Sequence, residues 1–379
     1  MAESLAAMNG GRPSHLEGDV GLFSAYLMGE ARFGPVLLDR LGMAKHPLGP
    51  SVLFALDAVR QNDFDSAGTI FRHLATDAQL LPALDRTLQY LCKVTTAFTY
   101  GKLLEACSQA VVEVIGRHLA TDAGQRLVLE FFLYFGKFKE AEQVLAALPA
   151  TAVPDYRAEL QRARLRLELF TPRKRFSFCL LTWNRADLLD RCLTEIKAKA
   201  ASQDYEIVVG VNASTDHTAQ VLAKHGIQNV LWNTRNDSID YYRAVFDAAA
   251  GEYIVEIDDN VVEFPIGFDR LLEDHLQAFP DFGYIGIQPT RLSLSTGQEE
   301  SMVIADYGEA HAGDLTLHLG PVWGCCAILR NRDYRRINGF YGIRMSKEIG
   351  EEPQLMRKLL MHGKKSGQII GPRLMKAFP

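Results

Sequence analysis

Two rhythms of apolar and polar positions divide the chain. Up to about residue 170 apolar residues recur at helical spacing with few β-branched runs, which predicts helix after helix. Pro172 ends that pattern, and Arg173-Lys174-Arg175 form a polar hinge. Beyond it the apolar residues gather into short continuous runs: "FSFCLL" (176–181), "YEIVVGV" (205–211), "NVLW" (229–232) and "EYIVEI" (252–257). Each reads as a buried strand. Helical patterns fill the gaps. In "ADLLDRCLTEIKAK" (186–199), Leu189, Cys192, Leu193 and Ile196 share one face, while "DHTAQVLAKHG" opens on Asp216 as a cap and closes at Gly226. Strands alternating with helices predict βαβ units and a mostly parallel sheet. The expected division is therefore an all-α domain over 1–172 and an α/β domain over 173–379.

The helical half carries a weak internal echo. "NDFDSA" (62–67), "GKLLEA" (101–106) and "GKFKEA" (136–141) follow one another at offsets of 39 and 35 residues. Spacing of that order, with a turn, a large apolar residue and then Ala, is what paired-helix repeats show, the small Ala letting one helix approach its neighbour. The segment is loosely similar to tetratricopeptide repeats, although the Trp, Leu-Gly and Tyr pattern of their first helix is missing. A helical-repeat-like domain and an irregular helical domain that only packs or dimerises both remain open.

Composition narrows the class. The chain has 379 residues, too many for one ordinary core, and its 47% hydrophobic and 23% charged content is that of a globular protein. A net charge of −5 and a pI near 6.1 argue against a nucleic-acid partner that relies on overall positive charge. The six cysteines show no CxxC spacing, which fits a reduced chain better than a zinc or disulfide framework. No basic segment followed by an apolar one opens the sequence, and no apolar stretch approaches a membrane span, so a cytoplasmic, non-transmembrane protein is expected.

In parallel sheets ligands sit beyond the carboxyl ends of the strands. The residues to examine are then Thr182 to Arg185, Val211 to Asp216, and Asp258-Asp259-Asn260, where "GEYIVEIDDNVVEFP" stops being hydrophobic. Neither GxGxxG nor GxxxxGK[ST] occurs after the first strand. Carboxylates without a phosphate-cradling glycine loop would bind a diphosphate through a hard divalent cation, Mn²⁺ or Mg²⁺. That ion would neutralise charge on a departing diphosphate. A capping turn is the plainer explanation of the same residues.

From about residue 174 to 366 the chain resembles the family-2 glycosyltransferases of the GT-A fold. The resemblance is carried, in order, by "RFSFCLLTWNRADLLDRCLTEI", "EIVVGVNASTDHTAQVL", "AAAGEYIVEIDDNV", and "INGFYG" followed by "GEEPQLMRKLLMHGKK". It implies a Rossmann-like nucleotide-diphospho-sugar transferase domain that moves a sugar from a nucleotide-diphosphate donor to an acceptor hydroxyl or amide, usually with inversion. It implies Asp258, Asp259 and Asn260 as metal ligands, Asp258 also touching the donor, and Thr182, Asn184 and Arg185 around the nucleotide; because Val211 replaces the family's nucleotide-contacting Asp, Asn212 or Asp216 is expected to take over base or ribose recognition. Glu352 takes the slot of the general base, with Glu351 beside it. Four places depart from the family: Val211 stands where an Asp contacts the nucleotide, Asn260 ends the acidic motif, Glu351-Glu352 replaces Glu-Asp, and Arg243 stands where related sequences usually carry Asn, as a candidate partner for diphosphate oxygens.

Several of these residues have a structural alternative. Thr182, Asn184 and Asp216 would also serve as helix caps, and Glu351-Glu352 would suit any helix start, with Pro353 in its first turn. Trp323 in "GPVWGCC" fits a sugar-stacking role or a core role equally. His318 and His362 read as surface or core histidines ahead of metal ligands. From Pro353 onward Arg357, Lys358, Lys364, Lys365, Arg373 and Lys376 meet no acid; that tail would cover a diphosphate, touch an anionic membrane, or simply be a solvated basic face. The helical half is expected to choose the acceptor, whether glycan, protein or small molecule, or to mediate assembly, homo-oligomers included. The rival is a degenerate transferase fold kept for binding, with the helical repeats as its working part.

Overall fold

The fold is that of a computed structural model, which describes residues 19–87 apart from positions 28, 62, 75, 78, 81 and 85, residue 129, and residues 132–301, 308–342 and 351–378. The chain divides into two compact units, Met1–Val128 and Leu129–Pro379.

In the first unit the described helices include Asp19–Leu27, Gly34–Arg40, Gly49–Arg60 and Phe64–Leu74. The last two pack as a pair, and Leu37, Leu41, Val52, Leu56, Phe71 and Leu74 build the core. The "NDFDSA" segment leads into the helix Phe64–Leu74. Asp63 Oδ1 accepts the Ser66 N–H (3.1 Å) at the helix start, and Ala67 is buried. "GKLLEA" lies outside the described residues.

"GKFKEA" belongs to the second unit. Gly136 (φ 66°) turns the chain into the helix Phe138–Ala146, with Ala141 buried. A Cβ at Gly136 would stand 2.2 Å from the Arg336 carbonyl oxygen, so only glycine fits. Around this point the segment after 129 is fastened to the strand-bearing part. Asn338 donates to the Leu133 carbonyl (3.1 Å), Lys137 to that of Met361 (3.0 Å), and Arg166 reaches Asp247 (3.2 Å) and Asn338 (3.2 Å). The change of rhythm at Pro172 and the division between compact units thus fall at different places, because these helices are tied to the sheet domain by their own bonds. Gly136→Ala is expected to cost about 1–3 kcal/mol in denaturant unfolding of this unit; an unchanged midpoint would show that the contact with Arg336 is not made.

The sheet begins with β1 (Lys174–Thr182), β2 (Tyr205–Asn212), β3 (Asn229–Asn233) and β4 (Gly251–Asp258), followed by the short β5 (Val261–Glu263). Then come β6 (Phe282–Ile287), β7 (Thr290–Ser293), β8 (Glu299–Ser301), β9 (Glu309–Ala312) and β10 (Leu315–Leu319). The last three are β11 (Cys326–Arg330), β12 (Lys365–Ile369) and β13 (Met375–Phe378). Among the described residues the main sheet runs β3-β2-β1-β4-β11-β6-β12-β10-β9, and β5-β13-β7-β8 form a smaller one. The first four strands are parallel, as expected, and β11 enters antiparallel between β4 and β6.

The continuous apolar runs follow from cover on both faces. Phe176, Phe178 and Leu180 of β1 meet the helices Ala186–Lys199 and Phe268–Ala278 on one side, whereas Cys179 joins Val245, Phe246 and Tyr334 on the other. Ala186–Lys199 buries Leu189, Cys192, Leu193 and Ile196, the face the periodicity predicts. Because β1 lies between β2 and β4, with Thr182 level with Val211 and Leu181 with Asp258, the ends of all three strands reach one edge.

Candidate active site

The edge is built around the turn after β4. There Asp258 remains partly accessible, while Asp259 and Asn260 are buried. Each has a partner outside the turn. Asp259 Oδ1 accepts from Arg185 Nη1 at 3.0 Å, just before the helix Ala186–Lys199. Burial raises the Asp259 pKa, although the Arg185 charge and the Thr182 hydroxyl at the end of β1 pull it down. Asp258 Oδ2 accepts from the Lys376 ammonium, and its Oδ1 lies 3.4 Å from the Tyr242 hydroxyl. Asn260 is stitched to β13 in both directions: its Nδ2 donates to the Ala377 carbonyl (2.7 Å), and the Ala377 N–H donates to the Asn260 carbonyl (2.8 Å).

Glu352 arrives from the helix Glu351–Leu360. Its Oε1 accepts the Gly324 N–H at 3.2 Å, in the turn that leads into β11. Burial raises the Glu352 pKa and the Asp258 charge adds to that; its own N–H, the Gly324 N–H and Lys376 act in the opposite sense. Glu256 of β4 is buried beside it, accepting the Tyr284 hydroxyl at 2.5 Å. Gly324 is glycine for a steric reason. A Cβ there would lie 2.8 Å from Glu256 Oε1 and 2.9 Å from Glu352 Cγ. Glu351 opens the same helix.

The other expected residues divide by what holds them. Asn184, at positive φ, accepts the Thr215 N–H (2.7 Å) and its own N–H donates to Ser214 (3.0 Å), tying the first turn to the second. Asp216 caps two helices, taking the Ala186 N–H (2.9 Å) on one oxygen and the Thr218 N–H (3.1 Å) and hydroxyl (2.5 Å) on the other. Asn212 donates to the Ser238 carbonyl (2.7 Å) and accepts from Asp237 N–H (3.0 Å) and Asn233 (3.2 Å). The side chains of Asn184, Asp216 and Asn212 therefore shape the rim by tying its turns together. Val211 is in the core. Arg243 stands 3.8 Å from Asp247 and over the Tyr341 ring. Trp323 is 38% exposed, which removes the core role. His318 lies 3.6 Å from Glu309, and His362 is hydrogen-bonded to the Phe135 carbonyl.

The basic tail forms no single solvated face. Lys358 is buried, Arg373 pairs with Glu263 and Glu299, and Lys376 enters the site. Sequence reading missed that last placement. The signal available was the alternation of "MKAF": Met375 and Ala377 are buried on either side of Lys376, as a short strand requires.

The acidic turn can be tested as a divalent-cation site by its donor set. Such an ion needs several oxygens free to turn toward it. Here Asp258 Oδ2 is taken by an ammonium and Asp259 Oδ1 by a guanidinium, and Asn260 Oδ1 is buried without a hydrogen-bond partner among the described residues. With both carboxylates ion-paired, a dication gains them as ligands only by displacing a cation of the chain. Among the described residues no group of three or more His, Cys, Asp or Glu is arranged to bind metal. As they stand, these residues do not fit the expected Mn²⁺ or Mg²⁺.

The strand-bearing part is thus an α/β domain whose parallel half-sheet brings an acidic turn to its carboxyl edge. Residues 177–337 match the model of the family described as Glycosyl transferase family 2, and this segment is a family-2 glycosyltransferase domain of the GT-A fold. No curated protein matches the chain. Among solved structures it is similar to a mannosyltransferase from Pyrobaculum calidifontis in complex with GDP-Man and Mn²⁺, at 16% identity over 58% of this chain and 63% of that one, TM-score 0.41. It is also similar to S. aureus TarS 1–349 in complex with UDP-GlcNAc, at 16% identity over 54% and 59%, TM-score 0.39. A third is glucosyl-3-phosphoglycerate synthase from Mycobacterium tuberculosis in complex with phosphoglyceric acid, at 15% identity over 55% and 73%, TM-score 0.36. The chain spans about three fifths of the length of the first two. No helix among the described residues is long and apolar enough to cross a membrane.

Proposed function

We propose that this protein is a glycosyltransferase that moves a sugar from a nucleotide-diphosphate donor to an acceptor hydroxyl or amide by one inverting displacement. The observation that supports it, beside the family match, is the meeting of Glu352 with the Asp258-Asp259 turn at the carboxyl edge of β1 and β4. In this reading Glu352 takes the proton from the acceptor as its oxygen or nitrogen attacks the anomeric carbon. The bond from that carbon to the diphosphate oxygen breaks on the opposite side, and the nucleoside diphosphate leaves with the bonding pair. The Gly324 N–H holds the Glu352 carboxylate in place, and the neighbouring Asp258 charge favours its taking a proton. No step of it is routed through a metal ion, because both carboxylates of the acidic turn are already ion-paired.

The rival reading, a transferase fold kept only for binding, draws on the ion-paired state of both carboxylates and on Val211 being in the core. A scan of nucleotide sugars by thermal shift, with and without Mn²⁺ and followed by assay of donor hydrolysis, separates the two. A stabilising shift with at least one donor, lost in Asp259→Ala, together with slow release of the nucleoside diphosphate, is the expected result. Absence of a shift with every donor would leave the binding-module reading in possession.

A further inference from the structure

The positive charge that the acidic turn is expected to borrow from a metal ion is already part of the chain. Lys376 donates to Asp258, and its side chain is 19% exposed, so the ammonium is neither sealed in the core nor loose in solvent. Its position is fixed by construction. β13 pairs antiparallel with β5 and parallel with β7, which sets Lys376 opposite Val261. Met375 and Ala377 are buried on the other face, and the two Asn260–Ala377 hydrogen bonds lock this strand to the acidic turn itself. A second cation, Arg185, closes the other side of the turn through Asp259.

Charge counting points the same way. Asp258 and Asp259 are each paired with a cation, Lys376 and Arg185, so a dication entering here would have to displace an ammonium or a guanidinium to gain either carboxylate as a ligand. A diphosphate meets the opposite situation. Lysine carries three donor hydrogens, so one stays on Asp258 while others turn to phosphate oxygens, and the exposed Arg185 guanidinium offers a bidentate fork beside it.

We infer that Lys376 is the resident cation of this site: its ammonium takes the diphosphate charge that a divalent ion would otherwise take, and the donor binds without metal. This inference rests on the nucleotide-sugar reading above. The test is calorimetric titration of the full chain with UDP, GDP, dTDP, ADP and CDP, once in EDTA and once in Mn²⁺. At least one of them is expected to bind with the same affinity, within about twofold, in both buffers. Lys376→Met should weaken that binding about ten- to a hundredfold, and Lys376→Arg should recover most of it, with melting curves confirming that both variants fold. Binding that appears only with Mn²⁺ overturns the inference and leaves the nucleotide-sugar reading intact, as does unchanged affinity in Lys376→Met. If none of the five nucleotides binds in either buffer, that reading is lost and the inference goes with it. The comparison of buffers uses the native chain, so it decides even should Lys376→Met fail to fold.

Discussion

Glu352→Gln is expected to lower sugar transfer by about 10²- to 10⁴-fold while nucleoside diphosphate affinity stays within a few-fold and thermal stability rises. The three readouts separate a base from a structural carboxylate. Glutamine keeps an amide oxygen for the Gly324 N–H, so the hydrogen bond that positions Glu352 survives. What disappears is the ability to accept a proton. The stability prediction follows from the sign of the pKa shift. Burial, with Asp258 nearby, raises the Glu352 pKa, so the folded state holds that proton more tightly than the unfolded one. Stability associated with the group is present below the ordinary glutamate pKa and is lost as pH rises through the folded value. At neutral pH the ionised side chain therefore costs stability, and Gln removes the cost. The acid limb of the wild-type pH–rate profile should lie above the ordinary glutamate range for the same reason. Turnover within a few-fold of wild type in the Gln variant would exclude Glu352 as the base.

Much of this site can be read along the chain, and the parts that cannot share one physical cause. β1, β2 and β4 declare themselves because strands buried on both faces have to be continuous apolar runs, and the helix Ala186–Lys199 because one buried face imposes a period of 3.6. Asp258 and Asp259 stand out because polarity begins abruptly where a buried strand ends. Partnership is different. Lys376 is 118 residues from Asp258, and nothing in "RLMKAFP" reveals that its strand lies alongside the acidic turn. Asn212 and Asp216 look like ligand contacts in a polar turn, yet their hydrogen-bonding groups are satisfied by Ser238, Asp237, Ala186 and Thr218, which only the folded turns bring near. The antiparallel entry of β11 is equally invisible, since register and direction come from pairing across the sheet. Composition and period report what a residue buries; they carry little about which charge it meets.

Gly324→Ala tests whether meeting the right charge at the right distance matters, and its expected effect is a fall in turnover of about 10- to 100-fold with nucleoside diphosphate affinity nearly unchanged. The new methyl carbon would lie within 2.9 Å of both Glu256 and Glu352, closer than real side-chain carbons come. One of the two has to move. Glu256 sits in β4 between β1 and β11, buried and bound to the Tyr284 hydroxyl, so the sheet resists its displacement. Glu352 is the freer of the pair, at the first turn of a helix and held, among the described residues, by the Gly324 N–H, its own N–H and charge. It is therefore pushed outward, away from the acceptor's proton and toward water. Two consequences distinguish this from general damage. The acid limb of the pH–rate profile should fall back toward the ordinary glutamate range, because the burial that raises it is relieved, and the loss of stability should stay within the ~1–3 kcal/mol of an overpacked contact. A folded Gly324→Ala protein with wild-type turnover and an unmoved acid limb would mean that the carboxylate doing the chemistry is not the one this glycine holds in place.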